Sequence, residues 1–218
     1  MRIHIKIDAK GITIPFDHQQ LLTGVIHKWI GWNEEHGNIS LYSFSKLEGA
    51  KALKSGLFFE QDSVFFFSSV KDELVKKMIG GIQNDPSMFN GLQVKEIIIE
   101  EDPDLSSREL FFAASPIFIK RKNGERIDHI LYDDVRANAC LEETLRTKME
   151  SVGISDQTLR IRFQADHPKA GTKKLTYNGV QNRASWCPVI IEGKPETKLF
   201  AWNVGLGNST GIGLGAIK

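Results

Sequence analysis

Apolar and polar residues alternate at the start of the chain, where Ile3, Ile5 and Ile7 are separated by polar or charged residues. A period of two is typical of a β-strand with one buried face. From His18 to Ile30 the apolar residues instead recur at helical spacing and fill one side of a helical wheel. The chain therefore begins with a predicted strand followed by an amphipathic helix.

The rest of the first half continues this alternation of element types. Residues 40–47, 57–59 and 64–67 are predicted strands, and the last two flank a turn-like segment that indicates a hairpin. A second helical stripe runs from Val70 to Ile82, and another strand covers about residues 92–99. The order strand, helix, strand, strand, helix, strand is that of a ferredoxin-like domain.

A second copy of the pattern follows an acidic, proline-containing linker at residues 100–104. It comprises an apolar run at 110–119, a helix at 134–151, an alternating strand at 159–163, a strand at 186–191, a short helix opened by Pro195 and a last strand at 212–217. Residues 164–183 fit either a long loop or an exposed hairpin. We predict an α+β protein with two tandem ferredoxin-like βαββαβ domains, at residues 1–104 and 105–218.

Composition places the chain among ordinary globular proteins. Its 218 residues are 41% hydrophobic and 25% charged, and the formal net charge of +1 does not indicate a nucleic-acid partner. Two cysteines, Cys140 and Cys187, cannot build a disulfide scaffold or a four-cysteine zinc site, which favours a reducing, cytoplasmic location. The alternating amino terminus is not expected to be a signal peptide, and no apolar segment is as long as a membrane span.

Glycines crowd the carboxy-terminal segment at Gly205, Gly207, Gly211, Gly213 and Gly215. Glycine-rich backbone can approach phosphate closely through successive N–H groups. A dinucleotide-binding loop is excluded because only three residues follow Gly215, and a P-loop is excluded because no Gly-Lys-Ser/Thr follows. A tight bend before an edge strand remains an equally good explanation.

The segment Val-Gly-Leu-Gly, three residues, then Gly-Ile-Gly-Leu-Gly at 204–215 resembles the glycine-rich motif of CRISPR-associated repeat-RNA-processing endoribonucleases, in the repeat-associated RNA-binding superfamily. Residues 14–27, 41–45 and 115–117 are similar to other parts of that family, so the resemblance spans nearly the whole chain. It implies two tandem ferredoxin-like domains and CRISPR repeat RNA, as precursor and mature guide RNA, as the partner.

Histidines are suited to RNA cleavage because the 2′-hydroxyl supplies the nucleophile and imidazole transfers protons near neutral pH. His27 projects from the polar side of the first predicted helix, and His36 lies in the polar connection after it. The resemblance implies His36 as principal general acid/base and His27 as its partner, with the acid and base roles left open. It also suggests Lys46 as the group that neutralises the scissile phosphate. The alternative is that all three are solvated polar residues.

Basic residues concentrate between positions 158 and 183, where Asp166 is the single acid. A further basic group lies at residues 120–126. The resemblance assigns the first cluster and part of the glycine segment to RNA binding. These residues are Arg160, Arg162, Lys169, Lys173, Lys174, Arg183, Gly205, Gly207, Gly211 and Gly213.

The sequence therefore predicts a metal-independent endoribonuclease that needs no cofactor and cleaves within each CRISPR repeat, leaving a 2′,3′-cyclic phosphate and a 5′-hydroxyl. No metal-ligand motif such as His-Glu-x-x-His or Cys-x-x-Cys occurs. A CRISPR effector complex and a second copy of the chain, as a homodimer, are further candidate partners. The alternatives are a non-catalytic RNA-binding subunit of an effector complex and a ferredoxin-like metabolic or regulatory protein that binds no RNA.

Overall fold

A computed structural model describes residues 1–31 and 39–218 of the chain. His36, the predicted principal acid/base, lies outside the described residues, whereas every other candidate site residue lies within them.

The first half builds a four-stranded antiparallel sheet. Its strands stand side by side in the order β3 (Tyr42–Phe44), β6 (Ser63–Ser69), β1 (Arg2–Asp8) and β7 (Gln93–Glu100). If the four strands are numbered along the βαββαβ pattern, they stand in the sheet in the order second, third, first and fourth. This is the strand order of a ferredoxin-like domain. Its elements are β1 (Arg2–Asp8), β2 (Thr13–Ile14), α1 (Gln19–Ile30), β3 (Tyr42–Phe44), β4 (Ala50–Leu53), β5 (Gly56–Phe59), β6 (Ser63–Ser69), α2 (Asp72–Asn84) and β7 (Gln93–Glu100).

The predicted periodicities account for the core of this half. Ile3, Ile5 and Ile7 of the central strand β1 are fully buried. They belong to one apolar cluster with Leu22 and Ile26 of α1. The apolar stripe of α1 therefore fixes which side of the helix faces the sheet, and His27, which is half-buried, lies at the edge of that side.

The predicted hairpin between segments 57–59 and 64–67 is wrong. β5 pairs with β4 and with β2, in a small separate sheet. β6 instead lies between β1 and β3 in the main sheet. Both segments are rich in phenylalanine. Their local pattern therefore does not show whether two strands that follow each other in sequence also pair with each other in a sheet.

The second half repeats the fold with two inserted hairpins. Its elements are β8 (Leu110–Phe111), β9 (Ile119–Asn123), β10 (Arg126–Ile130), α3 (Ala137–Glu150), β11 (Arg160–Phe163), β12 (Gly171–Tyr177), β13 (Val180–Trp186), β14 (Val189–Glu192) and α4 (Pro195–Val204). The sheet order is β11-β14-β8, and a bridge between Ala113 and Ile217 adds the carboxy-terminal residues beside β8. The prediction of a tandem α+β fold is thus confirmed, and the predicted boundary falls in segment 101–109, which joins β7 to β8.

Three predictions for the second half are corrected or resolved. Residues 164–183 contain most of the β12–β13 hairpin. The predicted strand 186–191 is interrupted, because Trp186 ends β13 and Pro188, which has no N–H to donate, precedes β14. The predicted strand 212–217 forms only the bridge at Ile217, since a 3₁₀ turn at Thr210–Ile212 precedes it.

None of the helices in the described ranges is both long and apolar enough to span a lipid bilayer.

Arg2 joins the two halves of the molecule. Its side chain is 2% exposed, and its guanidinium lies between the rings of Phe66 and Trp202, 3.8 and 3.3 Å from their centroids. Nη2 donates hydrogen bonds to the carbonyl oxygens of Trp202 and Ile217, at 2.7 and 2.9 Å. A guanidinium suits this position because it stacks on aromatic rings while donating in its own plane.

Asp156 anchors the start of α4. Its carboxylate accepts hydrogen bonds from the Lys194 amide at 2.9 Å, the Thr197 hydroxyl at 2.7 Å and the Thr158 amide at 2.8 Å. Burial alone would raise the pKa of this carboxyl, but the hydrogen bonds from Thr158, Lys194 and Thr197 hold the pKa well below its usual range.

Asp156→Asn is expected to lower the free energy of unfolding at pH 7 by about 2 kcal/mol, because a charged acceptor of several bonds is lost. Because the pKa of Asp156 is lower in the folded than in the unfolded protein, its carboxylate stabilises the fold at pH values above the unfolded pKa of about 4. This stabilisation is lost as the pH falls below that value. The difference between wild type and variant should therefore shrink below about pH 4 in urea unfolding. Asp166→Asn, at an exposed carboxylate, serves as the control, and a difference that is constant with pH would contradict this role.

Candidate functional site

His27 contacts a short polar network at the junction of the two halves. It is half-buried on α1, and its Nε2 lies 3.3 Å from the hydroxyl of Tyr42 on β3. The same hydroxyl lies 3.3 Å from the carbonyl oxygen of Gly211. The glycine-rich segment therefore reaches the predicted histidine through one buried tyrosine.

This network constrains the protonation of His27. A tyrosine hydroxyl has one proton, so when it donates to the Gly211 carbonyl its oxygen accepts from Nε2–H of His27. In the neutral imidazole Nδ1 is then the basic nitrogen, and protonation of Nδ1 gives an imidazolium that can donate a proton back. His27 is thus held in an orientation that suits either step of general acid/base chemistry.

A cleft of about 550 Å³ opens on the outer side of the glycine-rich segment. Its lining brings together the stretch after His36, the β9 strand, the α3 helix and the 3₁₀ turn. The lining residues are Ile39, Ser40, Lys120, Arg121, Glu143, Thr144, Thr147, Lys148, Gly207, Asn208, Ser209 and Thr210. Basic and hydroxyl side chains dominate this lining, which suits a phosphodiester ligand.

Lys148 fixes the turn that carries Gly211. Although charged, it is 5% exposed, and its Nζ donates to the Thr210 hydroxyl at 3.0 Å and to the Val204 carbonyl at 3.1 Å. Gln19 of α1 holds the other end of the turn by donating to the Ile212 carbonyl at 2.8 Å. The Gly211 carbonyl is therefore positioned from both halves of the molecule.

The predicted RNA-binding glycines lie against protein. A Cβ at Gly205 would meet Ser43, one at Gly207 would meet the Phe118 carbonyl, one at Gly211 would meet Ser40, and one at Gly213 would meet Gln19 and Phe44. None of the four is exposed. Their observed contacts seat the segment between the two halves, while Asn208 and Ser209 form its part that lines the cleft.

Lys46 contacts different residues from His27, which meets Tyr42. Tyr42 begins β3, and Lys46 lies two residues beyond the end of that strand. Lys46 lies 4.0 Å above the ring centroid of Trp186. Burial, followed by the charge of Lys173, lowers its pKa.

Because side chains alternate between the two faces of the β12–β13 hairpin, the predicted basic residues of this hairpin lie on both faces. Lys174 pairs with Arg183, and both line a groove of about 470 Å³ with His129 of β10, Thr172 and Gln181. Lys173 points to the opposite face, which it shares with Trp186.

The two basic surfaces are connected through the β9–β10 hairpin. Lys120 of the cleft pairs directly with His129 of the groove. A continuous basic path therefore leads from the cleft beside the His27 network to Lys174 and Arg183.

Arg160 and Arg162 alternate with buried residues on β11 and are exposed, as the strand pattern predicts. Arg162 lies 3.7 Å from Glu192, and Arg160 donates to the Leu159 carbonyl at 2.7 Å. Neither lines the cleft or the groove. Lys169 lies elsewhere, in a smaller cavity beside Trp186.

Metal-binding and thiol groups show no comparable arrangement. Across residues 1–31 and 39–218, no three histidine, cysteine or acidic side chains are grouped closely enough to hold a metal ion. Cys187 is fully buried, and burial raises the pKa of its thiol to about 11.

Sequence reasoning missed Tyr42 and Lys148. Tyr42 stands in an apolar strand and has the pattern of a core residue, and Lys148 stands among the polar residues of α3. Their partners Gly211 and Thr210 are 169 and 62 residues away along the chain. The one available signal is that Tyr42 lies within the segment 41–45 that carries part of the family resemblance.

Comparison with solved structures shows the same fold over the full chain. A structure described as "CRISPR associated protein Cas6" matches with a TM-score of 0.84 and 19% identity, covering 100% of this chain and 98% of that one. One described as "An RAMP protein binding different RNA substrates" matches at 0.83 and 20% identity, with the same coverage. The CRISPR endoribonuclease Cse3 bound to a 19-nucleotide RNA matches at 0.51 and 12% identity, again with 100% and 98% coverage.

No curated protein matches the chain in sequence. Residues 99–218, however, match the family model described as CRISPR associated protein Cas6, C-terminal. The match covers more than half of the chain, including the glycine-rich segment, α3 and both inserted hairpins. The chain therefore belongs to the CRISPR-associated Cas6 family, a family of endoribonucleases that process CRISPR repeat RNA.

Proposed function

We propose that this chain cleaves within each repeat of CRISPR precursor RNA by attack of the 2′-hydroxyl on the adjacent phosphorus, without a metal ion. The observation that carries the proposal is the contact of His27 with the Tyr42 hydroxyl, which in turn bonds to the Gly211 carbonyl beside a basic cleft. Family membership supplies the substrate class, and the basic path to Lys174 and Arg183 supplies a surface for the rest of the repeat.

The proposed step balances without a cofactor. A base takes the 2′-hydroxyl proton, the 2′-oxygen forms a bond to phosphorus, and the bond to the 5′-oxygen breaks as an acid protonates that oxygen. The products are a 2′,3′-cyclic phosphate and a 5′-hydroxyl. His27 takes one of the two proton transfers and His36 the other. Lys120, Arg121 and Asn208 line the cleft, and we propose that they contact the charged phosphate.

The test uses repeat RNA from the CRISPR array of the source genome, incubated with the protein in excess chelator. A second substrate carries a 2′-deoxynucleotide at the cut site. We expect cleavage of the first RNA, with a cyclic phosphate on the upstream product, and none of the second. Cleavage that needs added magnesium, or that persists on the deoxy substrate, would overturn the mechanism.

His36→Ala is expected to lower the cleavage rate far more than the RNA affinity. Filter binding of the deoxy RNA gives the affinity, and single-turnover assays give the rate. Full activity in this variant would move the assignment to His27 or to another group. Tight binding without turnover by the wild type would support the alternative, a non-catalytic RNA-binding subunit.

A further inference from the structure

One face of α1 is docked on the 3₁₀ turn that carries Gly211. Gln19 and Thr23 lie on this face, four positions apart in sequence, and are 4% and 1% exposed. Gln19 Nε2 donates to the Ile212 carbonyl oxygen at 2.8 Å, and the Thr23 hydroxyl lies 3.3 Å from the same oxygen. His27 follows Thr23 by another four positions and therefore belongs to the same face of the helix. The position of the turn against α1 thus sets what His27 can reach.

The second half of the molecule holds the same turn through Thr210, which is 1% exposed. The Thr210 hydroxyl lies 3.0 Å from Nζ of Lys148 on α3 and 3.5 Å from the Ser40 carbonyl oxygen. An ammonium group can only donate, so the Thr210 oxygen accepts from Lys148 and its own proton is directed at Ser40. These contacts connect α3 to the residue that stands two positions before Tyr42.

Gly211 brings the turn into close contact with the same stretch of chain. A Cβ at Gly211 would lie 2.4 Å from the Ser40 hydroxyl oxygen and 3.1 Å from that of Tyr42. The bond from the Tyr42 hydroxyl to the Gly211 carbonyl is already 3.3 Å long. A small shift of the turn would therefore break this bond, and the Tyr42 proton would then be donated to Nε2 of His27. Such a change would reverse the tautomer that the intact network selects.

Lys148 and Thr210 offer little of their surface to a ligand. Both border the cleft, but they are only 5% and 1% exposed, whereas Lys120 of the same lining is exposed. Burial of an ammonium group is costly unless it is hydrogen-bonded, and Lys148 spends its donors on the turn. A role within the protein therefore suits these two residues better than direct contact with RNA.

We infer that Lys148 and Thr210 are positioning residues for the proposed cleavage reaction. Lys148 holds Thr210, and the turn then presents the Gly211 carbonyl to the Tyr42 hydroxyl. The Tyr42 oxygen is thereby left to accept from Nε2–H of His27. The inference rests on the proposed function, since it concerns the same proton transfer. It makes the tautomer of a histidine in the first half depend on a helix in the second half.

The test compares two substitutions of the buried threonine. Thr210→Val removes the hydroxyl at nearly unchanged size, whereas Thr210→Ser keeps it. For Thr210→Val we expect the single-turnover rate at saturating protein to fall about tenfold, with the affinity for the uncleavable deoxy RNA changed by less than about threefold. Thr210→Ser should cleave within about threefold of the wild-type rate.

Thr197→Val is the matched control. Thr197 is fully buried, its hydroxyl donates to Asp156 at 2.7 Å, and it does not line the cleft. This variant should lose stability in urea unfolding but keep the wild-type rate. Lys148→Met should show the same loss of rate as Thr210→Val, and the two Thr210 variants still test the inference if Lys148→Met does not fold.

A double variant tests whether Thr210 acts through Tyr42. Once Tyr42→Phe has removed the hydroxyl, a shift of the turn has no proton left to redirect. We therefore expect Thr210→Val/Tyr42→Phe to be slower than Tyr42→Phe alone by less than about twofold. Losses that multiply would show a general loosening of the fold and would contradict the inference.

Other results would also overturn it: equal rates for wild type and Thr210→Val, or an equal loss in Thr210→Ser. Weaker RNA binding at an unchanged rate would place Thr210 in contact with RNA instead. Failure of the wild-type protein to cleave repeat RNA would contradict the proposed function itself.

Discussion

His27→Ala is expected to lower the single-turnover cleavage rate about a hundredfold while changing RNA affinity less than threefold. General acid/base catalysis by one positioned side chain contributes about 10²–10⁴ in rate. The imidazole is held by Tyr42, which the Gly211 carbonyl fixes in turn. Removing the ring takes away a proton-transfer group without removing a cationic residue from the basic path.

Tyr42→Phe provides the matched test of orientation. It keeps the buried ring, which lies 5.4 Å from that of Phe67, and deletes only the hydroxyl that contacts His27. We expect a smaller loss of rate, about tenfold, with a shifted pH–rate profile. His4→Ala, at a histidine paired with Glu100 at 2.7 Å, should retain wild-type activity. Equal rates for wild type and His27→Ala would remove His27 from the mechanism.

Gly215→Ala is expected to destabilise the protein by roughly 2–5 kcal/mol, measured by urea unfolding. Gly215 has a φ of +74°, where a Cβ costs about 1–2 kcal/mol. The added Cβ would also collide with the Leu206 carbonyl oxygen, a backbone atom that no side-chain rotation can move. Forced overpacking of this kind costs about 1–3 kcal/mol more.

Gly153→Ala separates the two contributions. Gly153 has a φ of +76°, and nothing lies within 4 Å of the position that an added Cβ would take. Its replacement should therefore cost about 1–2 kcal/mol, from backbone strain alone. Equal losses at the two positions would show that the close approach of Leu206 to Gly215 contributes nothing.

Much of the architecture could be predicted because it follows from the local periodicity of apolar residues. The alternation of Ile3, Ile5 and Ile7 and the apolar stripe of α1 specify a strand and a helix face that the structure confirms. The same stripe predicts His27 on the polar side of α1, but in the structure His27 is half-buried and contacts Tyr42 of β3. These features depend on residues a few positions apart, so a single sequence displays them directly.

Long-range pairing is not accessible in the same way. The partner of β5 is β4 rather than β6, and nothing in the phenylalanine-rich segments distinguishes the two. Lys173 and Lys174 are adjacent and chemically identical, yet the pleat of β12 sends one to Trp186 and the other to the groove. Only the register of the hairpin decides between these two surfaces.

The candidate site likewise combines features that the sequence shows with contacts that only the structure shows. The glycine-rich motif indicates the family, but its geometry is interpretable only once Gly211 is seen against Ser40 and Tyr42. The family resemblance suggests Lys46 for the reacting phosphate because relatives have a lysine near that strand. In the structure Lys46 instead lies against Trp186, whereas His27 contacts Tyr42.

The Arg2 contact also has a consequence for the order in which the protein can fold during synthesis. Arg2 leaves the ribosome long before its acceptors at Trp202 and Ile217, which follow 200 and 215 residues later. Until then the first half can form its sheet, but the guanidinium and the Phe66 ring have no partner from α4. Closure of the two halves on each other is therefore a late step with a large loop-closure cost. The amino-terminal half must avoid aggregation with that surface open while the rest of the chain is made.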